Sequence, residues 1–263
     1  MLLTRVLTAA VLLPIVLGAI YLGGPWLAGL LTLFVGIAYY EFASLMGEEG
    51  MARGPFAIGM VLVVLLAWNA YWAEDALTAP LVTFAFLLSL AWQVLQRGQA
   101  APATLWCVSM AGAVYLGWLG RYVVLLREMP QGLQWLLLAL LTTWITDSTA
   151  YFIGRRFGRH RMAPRLSPRK TWEGAVGGWV VGVFGGLVVG DLLGLGWVHG
   201  LAVGVLASTV APFGDLAVSL FKRQVGVKDT GHLLPGHGGM WDRLDSPLFV
   251  VPTVYFYALW FGA

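Results

Sequence analysis

The residues best suited to chemistry gather late in the chain. Asp215, Ser219 and Lys222 are spaced four and three apart, so a helix would carry them on one face. Downstream follow Lys228-Asp229, the turn-rich Pro235-Gly236-His237-Gly238-Gly239, and Asp242-Arg243-Leu244-Asp245-Ser246-Pro247. Asp215, Asp242 and Asp245 offer hard oxygen ligands suited to Mg2+, which commonly takes one or two carboxylates plus phosphate oxygens. The glycines permit successive backbone N–H groups to converge on an anion. His232 and His237 have neither the i,i+4 His partner nor the Cys companions of a zinc site. They suit a phosphate contact or a structural hydrogen bond, with general-base catalysis as the alternative.

Further candidates lie upstream. Ser167-Pro168-Arg169-Lys170-Thr171-Trp172-Glu173-Gly174 places hydroxyls and cations where a helix begins, and free amides at such a terminus favour phosphate. The cluster of Arg155, Arg156, Arg159, Arg161, Arg165, Arg169 and Lys170 satisfies either a membrane anchor or a site for anionic headgroups. Asp147 sits in an apolar run. An intramembrane carboxylate costs about 3 kcal/mol at the bilayer centre and is read as functional by default. The alternative is a helix-end Asp paired with a nearby Arg.

These residues must be positioned by a membrane fold. Of 263 residues, 59% are apolar and 11% charged, against roughly 25% charged in a soluble domain. This balance argues against a water-soluble fold. The pattern predicts an all-α, polytopic transmembrane helix bundle of about nine spans, over residues 6–22, 26–46, 56–72, 80–95, 103–126, 135–152, 174–195, 197–220 and 247–261. The fourth and ninth are short enough to be partly interfacial. The first reads as an uncleaved helix, longer than a signal-peptide core and without a small-x-small cleavage site. With nine spans and a cytoplasmic N-terminus, all of the 16 Lys and Arg residues except Arg121 and Arg127 fall on the inner side. That bias sets the orientation and puts the charged loops, and hence the active site, at the cytoplasmic face.

Chemistry is unevenly divided along the chain. Residues 1–134 read as a scaffold of about five spans in which little besides Glu41 and Arg121 could do chemistry, and residues 135–263 as a catalytic region of about four spans. Both belong to one membrane domain. Gly174, Gly178, Gly182, Gly186 and Gly190 repeat every four residues, a stripe suited to close packing inside the bundle or to a homodimer interface. Cys107, the single cysteine, reads as packing.

From Ser219 onward the chain resembles the bacterial phosphatidate cytidylyltransferases, or CDP-diglyceride synthases. That family's pattern is filled here by Ser219, Phe221, Lys222, Arg223, Lys228, Asp229, Gly231, Leu234, Pro235, His237, Gly238, Gly239, Met240, Asp242, Arg243, Leu244 and Asp245. Upstream, Asp147-Ser148-Thr149-Ala150-Tyr151-Phe152 with Gly154, Phe157 and Gly158, and the run from Ser167 to Gly174, are similar to its other two motifs. Arg169 stands where Lys or Gly is usual, and Val218 where an acidic residue is common. The resemblance implies that the phosphate of phosphatidate attacks the α-phosphorus of CTP and expels pyrophosphate. It implies catalytic roles for Asp215, Lys222, Asp242 and Asp245, the three carboxylates holding metal. Ser167, Lys170, Thr171, Ser219, Arg223, Lys228, Asp229, His237, Gly238, Gly239 and Arg243 would bind substrate, with Asp147 a further candidate. The expected cofactor is Mg2+, with another divalent ion or an accessory monovalent cation as alternatives. The expected surroundings are a bacterial inner membrane, with CTP, phosphatidate and the lipid bilayer as partners and no nucleic acid. A polyprenol kinase using CTP, and a transporter or flippase for anionic lipids, are the competing readings.

Overall fold

A computed structural model describes residues 2–46, 53–72, 75–97, 101–231 and 238–262. Long apolar segments without water can satisfy their backbone polar groups only internally, and helices dominate accordingly. In chain order they are α1 (Leu2–Leu22), α2 (Gly24–Met46), α3 (Arg53–Trp72), α4 (Asp75–Leu95), α5 (Pro102–Ala113), a π-helical turn (Val114–Trp118), α6 (Tyr122–Glu128) and α7 (Gly132–Phe157). Two short antiparallel strands follow, β1 (Arg161–Ala163) and β2 (Ser167–Thr171), pairing Arg161 with Thr171 and Ala163 with Ser167. Then come α8 (Trp172–Leu192), α9 (Trp197–Gln224), the one-turn α10 (Trp241–Leu244) and α11 (Pro247–Phe261).

Among the described residues, eight helical segments are long and apolar enough to cross a membrane, and α1 adds a shorter apolar stretch, Ala10–Leu22. The all-α, polytopic expectation holds. The two runs that looked short are extended, to 20 residues over Ala76–Leu95 and to 21 over Trp241–Phe261. On α4, Phe84, Leu87, Leu88, Val94 and Leu95 are all exposed, an apolar surface that calls for lipid beside it.

The chain forms two compact bodies. Met1–Glu128 joins with Asp229–Trp241, and Met129–Lys228 with Asp242–Ala263. The chain therefore changes body at 128/129, 228/229 and 241/242.

In the first body the fifth span is not a single regular helix. The π-helical turn and a break at Arg121 separate α5 from α6. Gly117 lets this turn close on α3, where an added Cβ would lie 3.0 Å from the Val63 Cα. Arg121 is buried. It donates to Thr78 Oγ1 at 3.1 Å, Thr78 donates to Asn69 Oδ1 at 2.7 Å, and the guanidinium lies 4.3 Å from the Trp118 ring centroid. The guanidinium is thus held within this body by hydrogen bonds and a cation–π contact.

In the second body α8 packs against α7 and α9, and the glycine stripe makes this possible. An added Cβ would lie 2.6 Å from the Ala150 carbonyl at Gly174, 2.8 Å from the Thr146 carbonyl at Gly178, and 2.6 Å from the Gly204 Cα at Gly186. Backbones approach where no side chain intervenes. The stripe is therefore used within the body.

Candidate active site

The second body brings together the end of β2, the middle of α7, the second half of α9 and the turn after α10. Lys170, the penultimate residue of β2, places Nζ 2.7 Å from Asp215 Oδ2 and donates to the Pro212 carbonyl at 3.4 Å. Asp147 on α7 lies within electrostatic reach of both Lys170 and Asp215, and beside the Ser246 hydroxyl. Asp245 lies within electrostatic reach of Asp215, Asp147 and Arg243, and its Oδ1 accepts from the Ser246 amide at 2.7 Å. Gly214 permits this approach, since a Cβ there would lie 3.0 Å from the Ser246 Cα. A buried hydrogen bond of 2.9 Å between the Thr146 and Ser208 hydroxyls ties α7 to α9 one turn before Pro212.

The helical face read from the spacing is real. Ser219 Oγ donates to Asp215 Oδ1 at 3.3 Å, and one turn further Lys222 Nζ lies 2.6 Å from Asp242 Oδ1. The Lys222 and Asp242 side chains are 12% and 8% exposed, so this pair is largely withdrawn from solvent.

The structure does not gather Asp215, Asp242 and Asp245 into one ligand set. Among the described residues, no group of three or more His, Cys, Asp or Glu side chains could hold a metal by itself. Asp242 is held by Lys222, and Asp147, Asp215 and Asp245 lie within electrostatic reach of one another. Lys170 and Arg243 offset part of that negative charge. One or two of these carboxylates, completed by phosphate oxygens, fit the donor chemistry of Mg2+.

Several residues assigned to substrate have structural partners. Thr171 is the N-cap of α8, its hydroxyl accepting from the Gly174 amide at 3.2 Å. Arg223 donates from Nε to the Leu166 carbonyl at 3.0 Å and from Nη1 to the Val227 carbonyl at 2.8 Å, pinning the β1–β2 turn to the end of α9. Ser167 on β2 is half-buried, while Lys228 and Arg243 are exposed. Glu173 accepts from the Arg159 and His160 amides at 3.0 and 3.2 Å, closing the turn after α7.

In the first body Asp229 is exposed, Gly238 has a positive φ of 81°, and Gly239 is buried. His232 and His237 lie outside the described residues. One acid of the scaffold region has its partners within this body. Glu41 of α2 accepts hydrogen bonds from Thr230, Met240 and Trp241. The sign was present in the sequence, because a lone carboxylate inside an apolar span is a functional candidate by default.

A bundle of lipid-facing helices that concentrates carboxylates and cations in this way defines a membrane protein built to handle anionic groups. The model of the cytidylyltransferase family matches residues 3–261, and the chain belongs to that family. It is 37% identical to a phosphatidate cytidylyltransferase of Brucella abortus, over 98% of this chain and 94% of the relative. It is 36% identical to one of Thermotoga maritima, over 96% and 94%, and 34% identical to one of Bacillus subtilis, over 77% of each.

Proposed function

We propose that this protein transfers CMP from CTP to phosphatidate, giving CDP-diacylglycerol and pyrophosphate. The observation that carries this reading is the Lys170–Asp215 pair, with Asp147 and Asp245 facing it, inside a chain of the cytidylyltransferase family. A phosphate monoester has its second pKa near 6, so the lipid nucleophile is largely dianionic at neutral pH and needs no strong base. The protein's task is to neutralise charge and align two anions, the general demand of phosphoryl-type transfer. Lys170 and Lys222, held by Asp215 and Asp242, are poised to exchange those carboxylates for phosphate oxygens.

Asp215 and Asp245, with Asp147 beside them, are the residues that would hold Mg2+. The ion would neutralise phosphate oxygens as charge builds between nucleophile and leaving group. Ser219 orients Asp215, and Arg243 offsets charge beside Asp245. Lys228, Asp229, His237, Gly238 and Gly239 are assigned to substrate from their place in the sequence pattern. The bias in Lys and Arg supports a bacterial inner-membrane enzyme with a cytoplasmic N-terminus and its active site at the cytoplasmic face.

The lipid must offer a free phosphate monoester, because that group is the nucleophile. In detergent with Mg2+ and labelled CTP, phosphatidate should be converted and phosphatidylcholine should not. Equal consumption of CTP with both lipids, above a control without lipid, would contradict the reading.

A further inference from the structure

We propose that Glu41 is a positioning residue for the reaction, a carboxylate clamp that fixes the backbone leading into Asp242. The inference rests on the functional reading above, to which it adds a residue from outside the catalytic motifs.

Glu41 is 6% exposed on α2, far in sequence from the residues that it binds. Its Oε1 accepts from the Met240 amide at 2.9 Å, and its Oε2 from the Trp241 amide at 2.9 Å and the Thr230 hydroxyl at 3.0 Å. Both oxygens are therefore engaged by donors. The two glycines beside it leave room for this, since a Cβ on Gly231 would lie 2.6 Å from Oε1, and one on Gly239 would meet Thr230 and Glu41. Packing seals the arrangement. Trp241 is fully buried, its ring 5.2 Å from that of Phe42, the residue after Glu41, and 6.3 Å from that of Tyr115.

Two consecutive backbone amides are thus fixed at the point where α10 begins, and Asp242 and Arg243 are the next residues of that turn. A buried carboxylate in an apolar span is costly, and this one makes no ion pair among the contacts described. Its hydrogen bonds go to backbone and hydroxyl donors on either side of the segment 231–239. Only an acceptor with two oxygens satisfies them together. In Glu41→Gln one oxygen becomes an NH2 group, which opposes an amide donor instead of accepting from it.

The test compares wild type with Glu41→Gln in detergent, measuring hydrogen exchange at Met240 and Trp241 together with kcat and kcat/KM for CTP and phosphatidate. Exchange at these two amides should rise about 10-fold or more, the scale of a lost buried hydrogen bond, while the rest of α2 and α3 stays protected. At the same time kcat and kcat/KM should fall together by about 100-fold, as expected of a displaced catalytic group. Unchanged local exchange, or wild-type kcat in the folded variant, would overturn the proposal. If Glu41→Gln exchanges throughout or does not accumulate, Thr230→Val decides. It removes one donor and should raise local exchange and lower kcat, each by several-fold, and wild-type values of both would overturn the proposal. Should wild type form no CDP-diacylglycerol, the functional reading fails by itself, and the exchange measurement alone decides whether Glu41 clamps this backbone.

Discussion

Asp215→Asn should lower turnover by about 10^2- to 10^3-fold, the loss seen when one preorganised electrostatic group is removed from a transition state. One oxygen of Asp215 pairs with Lys170 and the other accepts from Ser219. Asparagine removes the charge and sets an NH2 group against one of those donors, so both the ammonium and any bound cation lose their counter-charge. Residual activity should require more Mg2+ than wild type. Asp242→Asn should behave differently. Its carboxylate is already matched by Lys222, so activity should fall with a smaller shift in the Mg2+ titration. Kinetics across a Mg2+ series on monodisperse protein separates the two. A folded Asp215→Asn enzyme with near-normal turnover and an unaltered titration would make that carboxylate purely structural.

Lys222→Ala should cost stability as well as activity. The ammonium is 2.6 Å from a carboxylate that is 8% exposed, and breaking a buried pair from one side typically costs about 3–5 kcal/mol. The apparent Tm in detergent should fall by roughly 10 °C. Replacing both partners by neutral residues, Lys222→Ala with Asp242→Asn, should restore much of that loss because no buried charge is left behind, while activity stays low. The two single losses in stability should then exceed the loss in the double variant, a coupling expected of residues in contact. Additive losses in thermal scans of the four proteins would mean that the pair contributes no coupling. The family resemblance gave Lys222 and Asp242 catalytic roles without pairing them. The fold makes the two residues one unit.

What the sequence revealed and what it hid follow from the range of each interaction. The spans were legible because a bilayer demands long apolar runs, and the face shared by Asp215, Ser219 and Lys222 because helical spacing is local. The break around Arg121 was hidden, since the residues on both sides remain apolar. The Lys222–Asp242 pair was hidden as well, because residues twenty apart meet through the path of the intervening loop. The glycine stripe announced close packing without naming its partner, which proved to be α7 and α9. Arg223 looked like one more phosphate ligand in a basic run, and only the β1–β2 turn beside it gives it backbone acceptors. Glu41 was the most instructive case. The rule applied to Asp147, that an acid within an apolar span has a purpose, held for it too, but its partners lie about two hundred residues away.

The most direct test of CMP transfer follows two labels through one reaction. Purified protein in detergent would be given phosphatidate, Mg2+ and CTP labelled in separate runs at the α- or the γ-phosphate. Attack at the α-phosphorus requires the α label to enter the lipid and the γ label to leave as pyrophosphate. A γ label in the lipid, with CDP as the released nucleotide, would identify a kinase and contradict the assignment.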